Sequence, residues 1–125
     1  MLQNILIPVI NYEVEGYINN IVYSEVLYIV IKLLTQKKVY ELKENPETIK
    51  NAIKVVSRHI EFMQTYFKEL EINDKVKQIA IEIMKEYGLL PNDALIAATC
   101  RHYGIDTVLT FDEDFKRIPW LKVIP

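Results

Sequence analysis

Cysteine is nearly absent: Cys100 stands alone in 125 residues, which excludes a disulfide framework and a cysteine-based zinc site. Glycine and proline are also scarce, 3 and 5 residues, and no low-complexity tract or linker divides the chain. No glycine-rich phosphate loop occurs, which argues against a nucleoside-triphosphate enzyme. Neither sign of charge dominates. The net charge is −2, so no global basic field favours nucleic acid, and any RNA binding must come from a local patch. No apolar run approaches the length of a membrane span, and no charged-then-apolar leader opens the chain. The expectation is a cytoplasmic protein with no membrane segment, folded as a single domain over residues 1–125. What the chain has in quantity is apolar surface. Half of the residues are hydrophobic, and a mean hydropathy of +0.05 is high for so small a domain, which suggests an apolar face kept for a partner.

The punctuation marks elements. Tyr17-Ile18 reads as a short strand, and Asn19-Asn20 as the cap of a helix from Ile21 to Leu34. That helix is apolar nearly all round, a pattern expected of a helix buried on most sides. Residues 36–44 are polar and read as a connection. Asn45-Pro46-Glu47 opens another helix with an N-cap, a first-turn proline and a first-turn acid. Leu70-Glu71-Ile72 reads as a strand, and Asn73-Asp74 caps a helix stopped by Gly88. A small-residue helix then runs from Pro91-Asn92 to Tyr103 and closes at Gly104. Strands follow at Ile105–Phe111 and Leu121–Ile124, with a helical turn near Phe115 between them. Helices alternating with short apolar strands predict an α/β fold, three layers α/β/α around a mostly parallel sheet. Residues 1–15 are atypical. A strand at Ile5–Ile10 leaves only about six residues before Tyr17, too few for a parallel crossover, so an irregular or helical segment is expected there.

Acids stand where such a sheet displays its chemistry, beyond the carboxyl ends of strands. Glu25 lies one turn into its helix, Asp93 in the first turn of the small-residue helix, Asp112 just past a strand, and Asp114 two residues on. Converging carboxylates repel unless a cation joins them, and ligation by oxygen alone selects Mg²⁺ or Mn²⁺. Each acid also has a plainer reading. Asp93 suits a helix N-terminus through the macrodipole. Asp112 and Asp114 suit a turn, the i,i+2 spacing pointing their side chains apart. Glu25 is harder to explain away, because a charge in an apolar helix is costly without a partner. Cys100 and His102, two apart on a helix, diverge by about 200° and form no nucleophile–base pair. Cys100 reads as core, and His59 and His102 as surface. Lys116 and Arg117 suit a solvated turn or a phosphate contact.

From Pro91-Asn92-Asp93-Ala94-Leu95-Ile96-Ala97-Ala98-Thr99 through Gly104-Ile105-Asp106 to Thr110-Phe111-Asp112-Glu113-Asp114-Phe115, the chain resembles the PIN-domain family, in particular its VapC-type toxin ribonucleases. Residues 17–28 are similar to the family's second strand and acid-bearing helix. The resemblance implies Glu25, Asp93 and Asp112 as catalytic acids and metal ligands; beside it, Asp114 is expected as a further metal ligand and Thr110 as a hydrogen-bond partner of a ligand. The resemblance also implies Mg²⁺ or Mn²⁺, an RNA substrate cut at phosphodiester bonds, a cognate antitoxin and a homodimer. At one point the chain departs from the family. The family opens on a strand bearing Asp-x-Asn, whereas the only acids before Glu25 are Glu13 and Glu15. The expected fold therefore lacks or replaces that strand. Two functions remain open: a metal-dependent endoribonuclease of toxin type, or an inactive PIN-like interaction protein.

Overall fold

The computed structural model describes residues 8–124. Strand β1 (Gly16–Ile18) leads into helix α1 (Asn20–Thr35), followed by α2 (Val39–Glu44), α3 (Pro46–Tyr66) and strand β2 (Phe67–Glu69). Helices α4 (Asp74–Tyr87) and α5 (Pro91–His102) precede strand β3 (Thr107–Leu109), a 3-10 helix over Glu113–Arg117 and strand β4 (Lys122–Ile124).

Local chemistry sets most of these boundaries. The Asn19 side chain accepts from the Val22 amide at 2.9 Å, and the Asn73 side chain from the Val76 amide at 3.0 Å, each satisfying an orphan donor at a helix start. Gly88 ends α4 at φ 68°, where a side chain is strained. Asn45 departs from its expected role. Its side-chain amide donates back to the Glu41 carbonyl at 2.9 Å, closing α2 rather than capping α3. Helix α2 itself replaces the expected connection at 36–44. Its single buried residue, Leu42, is too weak a periodic signal to be read beforehand.

Both strand pairs are parallel. Tyr17 lies opposite Lys68 in β1–β2, and Val108 opposite Val123 in β3–β4. The first pair approaches closely: a Cβ on Gly16 would lie 2.6 Å from the Phe67 ring, so only glycine fits. Strand β2 starts three residues before the expected Leu70, because α3 runs directly into it. Among the described residues the pairs remain two separate sheets, correcting the expectation of one mostly parallel sheet. Each strand is three residues long and bonded along one edge, and no described strand runs between β1 and β3. The α/β class holds. A strand within residues 1–7 lies outside the described residues; residues 8–10 are helical, as expected of an irregular or helical segment, and Val9 is buried.

The core gathers α4, α5 and the chain after β3. Val76, Ala80 and Ile83 meet Ala94, Ala97 and Ala98, and Phe115, Ile118 and Leu121 close the cluster. Alanines bring the α4 and α5 backbones together, leaving the bulk to come from the C-terminal segment. Helix α1 is the opposite case. It packs on α3 and touches α5, yet none of its residues is buried, and Ile29 and Leu33 are 54% and 66% exposed. The expectation that α1 is buried on most sides is corrected: its apolar circumference exceeds what the described neighbours cover.

Candidate metal centre

Three carboxylates converge at the mouth between α5 and the β3–β4 pair. Pro91 starts α5, placing Asp93 in its first turn, half-buried. Strand β3 delivers Asp112 just past its end, where the Asp112 amide donates to Thr110 Oγ1 at 3.0 Å. The Thr110 amide is itself held by the Ile124 carbonyl at 2.9 Å, tying this turn to β4. Asp112 then caps the 3-10 helix, its Oδ1 accepting from the Asp114 amide at 2.9 Å. That turn folds Asp114 back, and carboxylate oxygens of Asp93, Asp112 and Asp114 all lie within 4.8 Å of one another. The expectation that the i,i+2 spacing points Asp112 and Asp114 apart is corrected. It holds within a helix, whereas Asp112 sits outside the 3-10 helix with extended backbone.

Glu25 faces the same region from α1, sharing a cleft with Ser24, Tyr28, Ile29 and Asn92. Its carboxylate does not join the three within 4.8 Å, but its charge is felt there. Burial of Asp93, then the negative charges of Asp112 and Glu25, a hydrogen bond with Asp112 and the charge of Asp114 push the Asp93 pKa up to about 6. A carboxyl at a helix N-terminus ordinarily shifts the other way, so here burial and then the neighbouring acids outweigh the macrodipole.

This donor set suits a hard divalent cation. All donors are carboxylate oxygens, the ligand type that Mg²⁺ and Mn²⁺ prefer, and they lie within 4.8 Å of one another. A cation would also offset both the burial of the Asp93 charge and the repulsion from its neighbours, which together raise its pKa.

Arg117 is the basic residue bonded into this cluster. It donates to Asp114 Oδ1 at 3.1 Å and to the Gly88 carbonyl at 3.3 Å, linking the end of α4 to the acidic turn. Lys116 pairs with Glu113 at 2.8 Å on the surface. That Arg117 reaches Asp114 is not legible in the sequence, since the i,i+3 relation operates only once the 3-10 helix is known. A second unforeseen contact is buried: Asn19 Nδ2 donates to Thr99 Oγ1 at 2.9 Å, joining α1 to α5. Asn19 was legible as a cap, but its partner 80 residues away was not.

The other candidates fall outside the centre. Cys100 is buried, and burial pushes its thiol pKa up to about 11, so it is no nucleophile. His102 stacks edge-on with Tyr103 at 4.8 Å, and His59 is exposed on α3. Glu15 is engaged by Lys68 at 2.7 Å, and that hydrogen bond holds its carboxyl below the usual range.

Known proteins share this arrangement of sequence. The family model for the PIN domain matches residues 6–121. Ribonuclease VapC2 of Methanocaldococcus jannaschii is 43% identical over 115 residues, spanning 91% of this chain and 74% of that protein. Ribonuclease VapC6 of the same organism is 37% identical over 113 residues, spanning 86% and 74%. Among solved structures, VapBC2 of Rickettsia felis bound to a promoter DNA fragment superimposes with a TM-score of 0.58 at 22% identity, over 98% of this chain and 82% of that one. A toxin–antitoxin complex from Klebsiella pneumoniae gives 0.57 at 18% identity, over 98% and 92%. These two share the fold. The extent of the family match and the identity to the archaeal relatives establish that the chain belongs to the PIN-domain family.

Proposed function

We propose that this protein is a metal-dependent endoribonuclease, the toxin of a toxin–antitoxin pair, built as one PIN-like domain over residues 1–125. The observation that carries the reading is the convergence of Asp93, Asp112 and Asp114 carboxylates within 4.8 Å, with Glu25 facing them from α1. The archaeal relatives, both named ribonucleases, support the activity, and the toxin–antitoxin structures among the fold neighbours support an antitoxin partner.

Asp93, Asp112 and Asp114 would hold Mg²⁺ or Mn²⁺. Bound there, the cation supplies Lewis acidity, acidifying water and offsetting charge on the phosphate oxygens. Thr110 and the Asx turn at Asp112 keep two ligands in place before RNA arrives. The Glu25 carboxylate orients the attacking water and accepts its proton, and Arg117, anchored on Gly88, offers a donor to the phosphate backbone.

For the fold we propose the three-layer α/β/α form, with the two parallel strand pairs in its middle layer. Within residues 1–125 the proposed centre draws on Asp93, Asp112, Asp114 and Glu25. No helix among the described residues is long and apolar enough to cross a membrane. We place the activity in the cytoplasm, with a homodimer and the antitoxin covering apolar residues of α1.

Incubation of purified protein with single-stranded RNA and Mn²⁺ tests this. Cleavage by the wild type, lost with chelator and in Asp93→Asn, supports the nuclease. A second reading, an inactive PIN-like interaction protein, draws on exposed Tyr28, Ile29, Leu33 and Leu34. It is favoured if the wild type neither cleaves nor binds Mn²⁺ yet self-associates.

A further inference from the structure

We propose that the buried Asn19–Thr99 hydrogen bond is a positioning pair, fixing the helix that carries Glu25 against the helix that carries Asp93. The inference rests on the metal-centre reading above. Asn19 and Thr99 are the buried polar side chains among the described residues, 2% and 5% exposed, and they bond to each other at 2.9 Å.

Each also serves its own helix. Asn19 Oδ1 accepts from the Val22 amide at 2.9 Å, and Thr99 Oγ1 donates to the Leu95 carbonyl at 2.7 Å. The hydroxyl proton is thus committed within α5, leaving the Thr99 lone pair for Asn19 Nδ2. The contact is directional and buried, so a slide of α1 along α5 breaks it and strands a buried donor.

Apolar packing supplies no comparable lock. Helix α1 has no buried residue, and loose apolar contact tolerates sliding. Glu25 lies six residues after Asn19, and Asp93 six residues before Thr99. The residues meet in reversed order: Asn19 touches Thr99, and Glu25 shares its cleft with Asn92. One end of an antiparallel crossing is therefore pinned by the amide–hydroxyl bond, and the acids occupy the other. The pin sets how far the Glu25 carboxylate stands from the three aspartates.

Thr99→Val removes the hydroxyl at nearly constant shape and leaves the Asn19 cap on Val22 intact, whereas Thr99→Ser keeps the hydroxyl. The experiment is Mn²⁺ titration calorimetry on both variants, alone and combined with Glu25→Gln, well below their melting temperatures. Thr99→Val should weaken Mn²⁺ binding roughly tenfold, the low end for outer groups around a metal site, because it moves the Glu25 charge away from the three aspartates. Thr99→Ser should bind as the wild type does. Glu25→Gln should cost less affinity in the Thr99→Val background than in the wild type, because Glu25 is already displaced. A Thr99→Val protein that melts earlier but binds Mn²⁺ normally, or equal Glu25→Gln losses in both backgrounds, overturns the proposal. If the wild type itself binds no Mn²⁺, the nuclease reading fails, and crystal structures of the two Thr99 variants decide this one. A shift of α1 over α5 in Thr99→Val but not Thr99→Ser sustains it, and superimposable helices overturn it.

Discussion

The two helices that carry candidate acids are held in opposite ways. Helix α5 buries Ala94, Ala97, Ala98, Thr99 and Cys100, while α1 buries none of its residues. Asp93, on the tightly held helix, reaches the cluster with Asp112 and Asp114; Glu25, on the loosely held one, influences it through its charge without entering it. A rigid scaffold can force like charges together, and a weakly gripped helix leaves its charge at a distance. Burial on that scaffold and then the charges of Asp112, Glu25 and Asp114 push the Asp93 pKa up to about 6.

The contrast breaks first at the centre. Asp93→Asn should abolish Mn²⁺-dependent RNA cleavage, measured by gel assay, whereas Glu25→Gln should reduce it by a smaller factor. Equal losses would place the two acids on the same footing. Stability should follow the packing. Ile118 is 1% exposed in the core around α4 and α5, and Ile118→Ala should cost about 2–5 kcal/mol in urea unfolding. Leu33→Ser on α1, at a position 66% exposed, should change stability of the monomer by no more than about 0.5 kcal/mol.

A subtler effect follows from the raised Asp93 pKa. The folded chain holds this proton up to about pH 6, whereas an ordinary aspartate releases it near 3.8. Its contribution to stability is complete below the lower value and disappears as pH rises through the upper one. In thermal melts without metal, Asp93→Asn should gain on the wild type across that window and keep its advantage above it. The smallest effect is expected at Arg117. Its pair with Asp114 is about half-exposed, so Arg117→Ala should cost no more than about 1 kcal/mol in urea unfolding, and less in high salt.

Much of the C-terminal half was legible because its signals are local. Asn73, Gly88, Pro91 and Gly104 act on their own backbone neighbours, and they mark where α4 and α5 begin and end. The acids at 93, 112 and 114 were legible as residue types at strand and helix ends. Their meeting depends on an Asx turn whose geometry no spacing rule contains, which is why Asp114 was expected to point away. The N-terminal half was harder. Periodicity shows that α1 is apolar but not what covers it, so its exposure could not be read. Helix α2 rests on one buried leucine, and the Asn19–Thr99 bond links residues too far apart in sequence for any local pattern. The division into two parallel pairs depends on which strands are neighbours, which propensity does not specify.

Calorimetric titration of Mn²⁺ into the wild type, with Asp93→Asn and Asp112→Asn alongside, goes to the heart of the account. It predicts saturable binding by the wild type that either substitution removes. A wild-type chain indifferent to Mn²⁺, or variants that bind as well as it does, would contradict the claim that these aspartates hold a cation together.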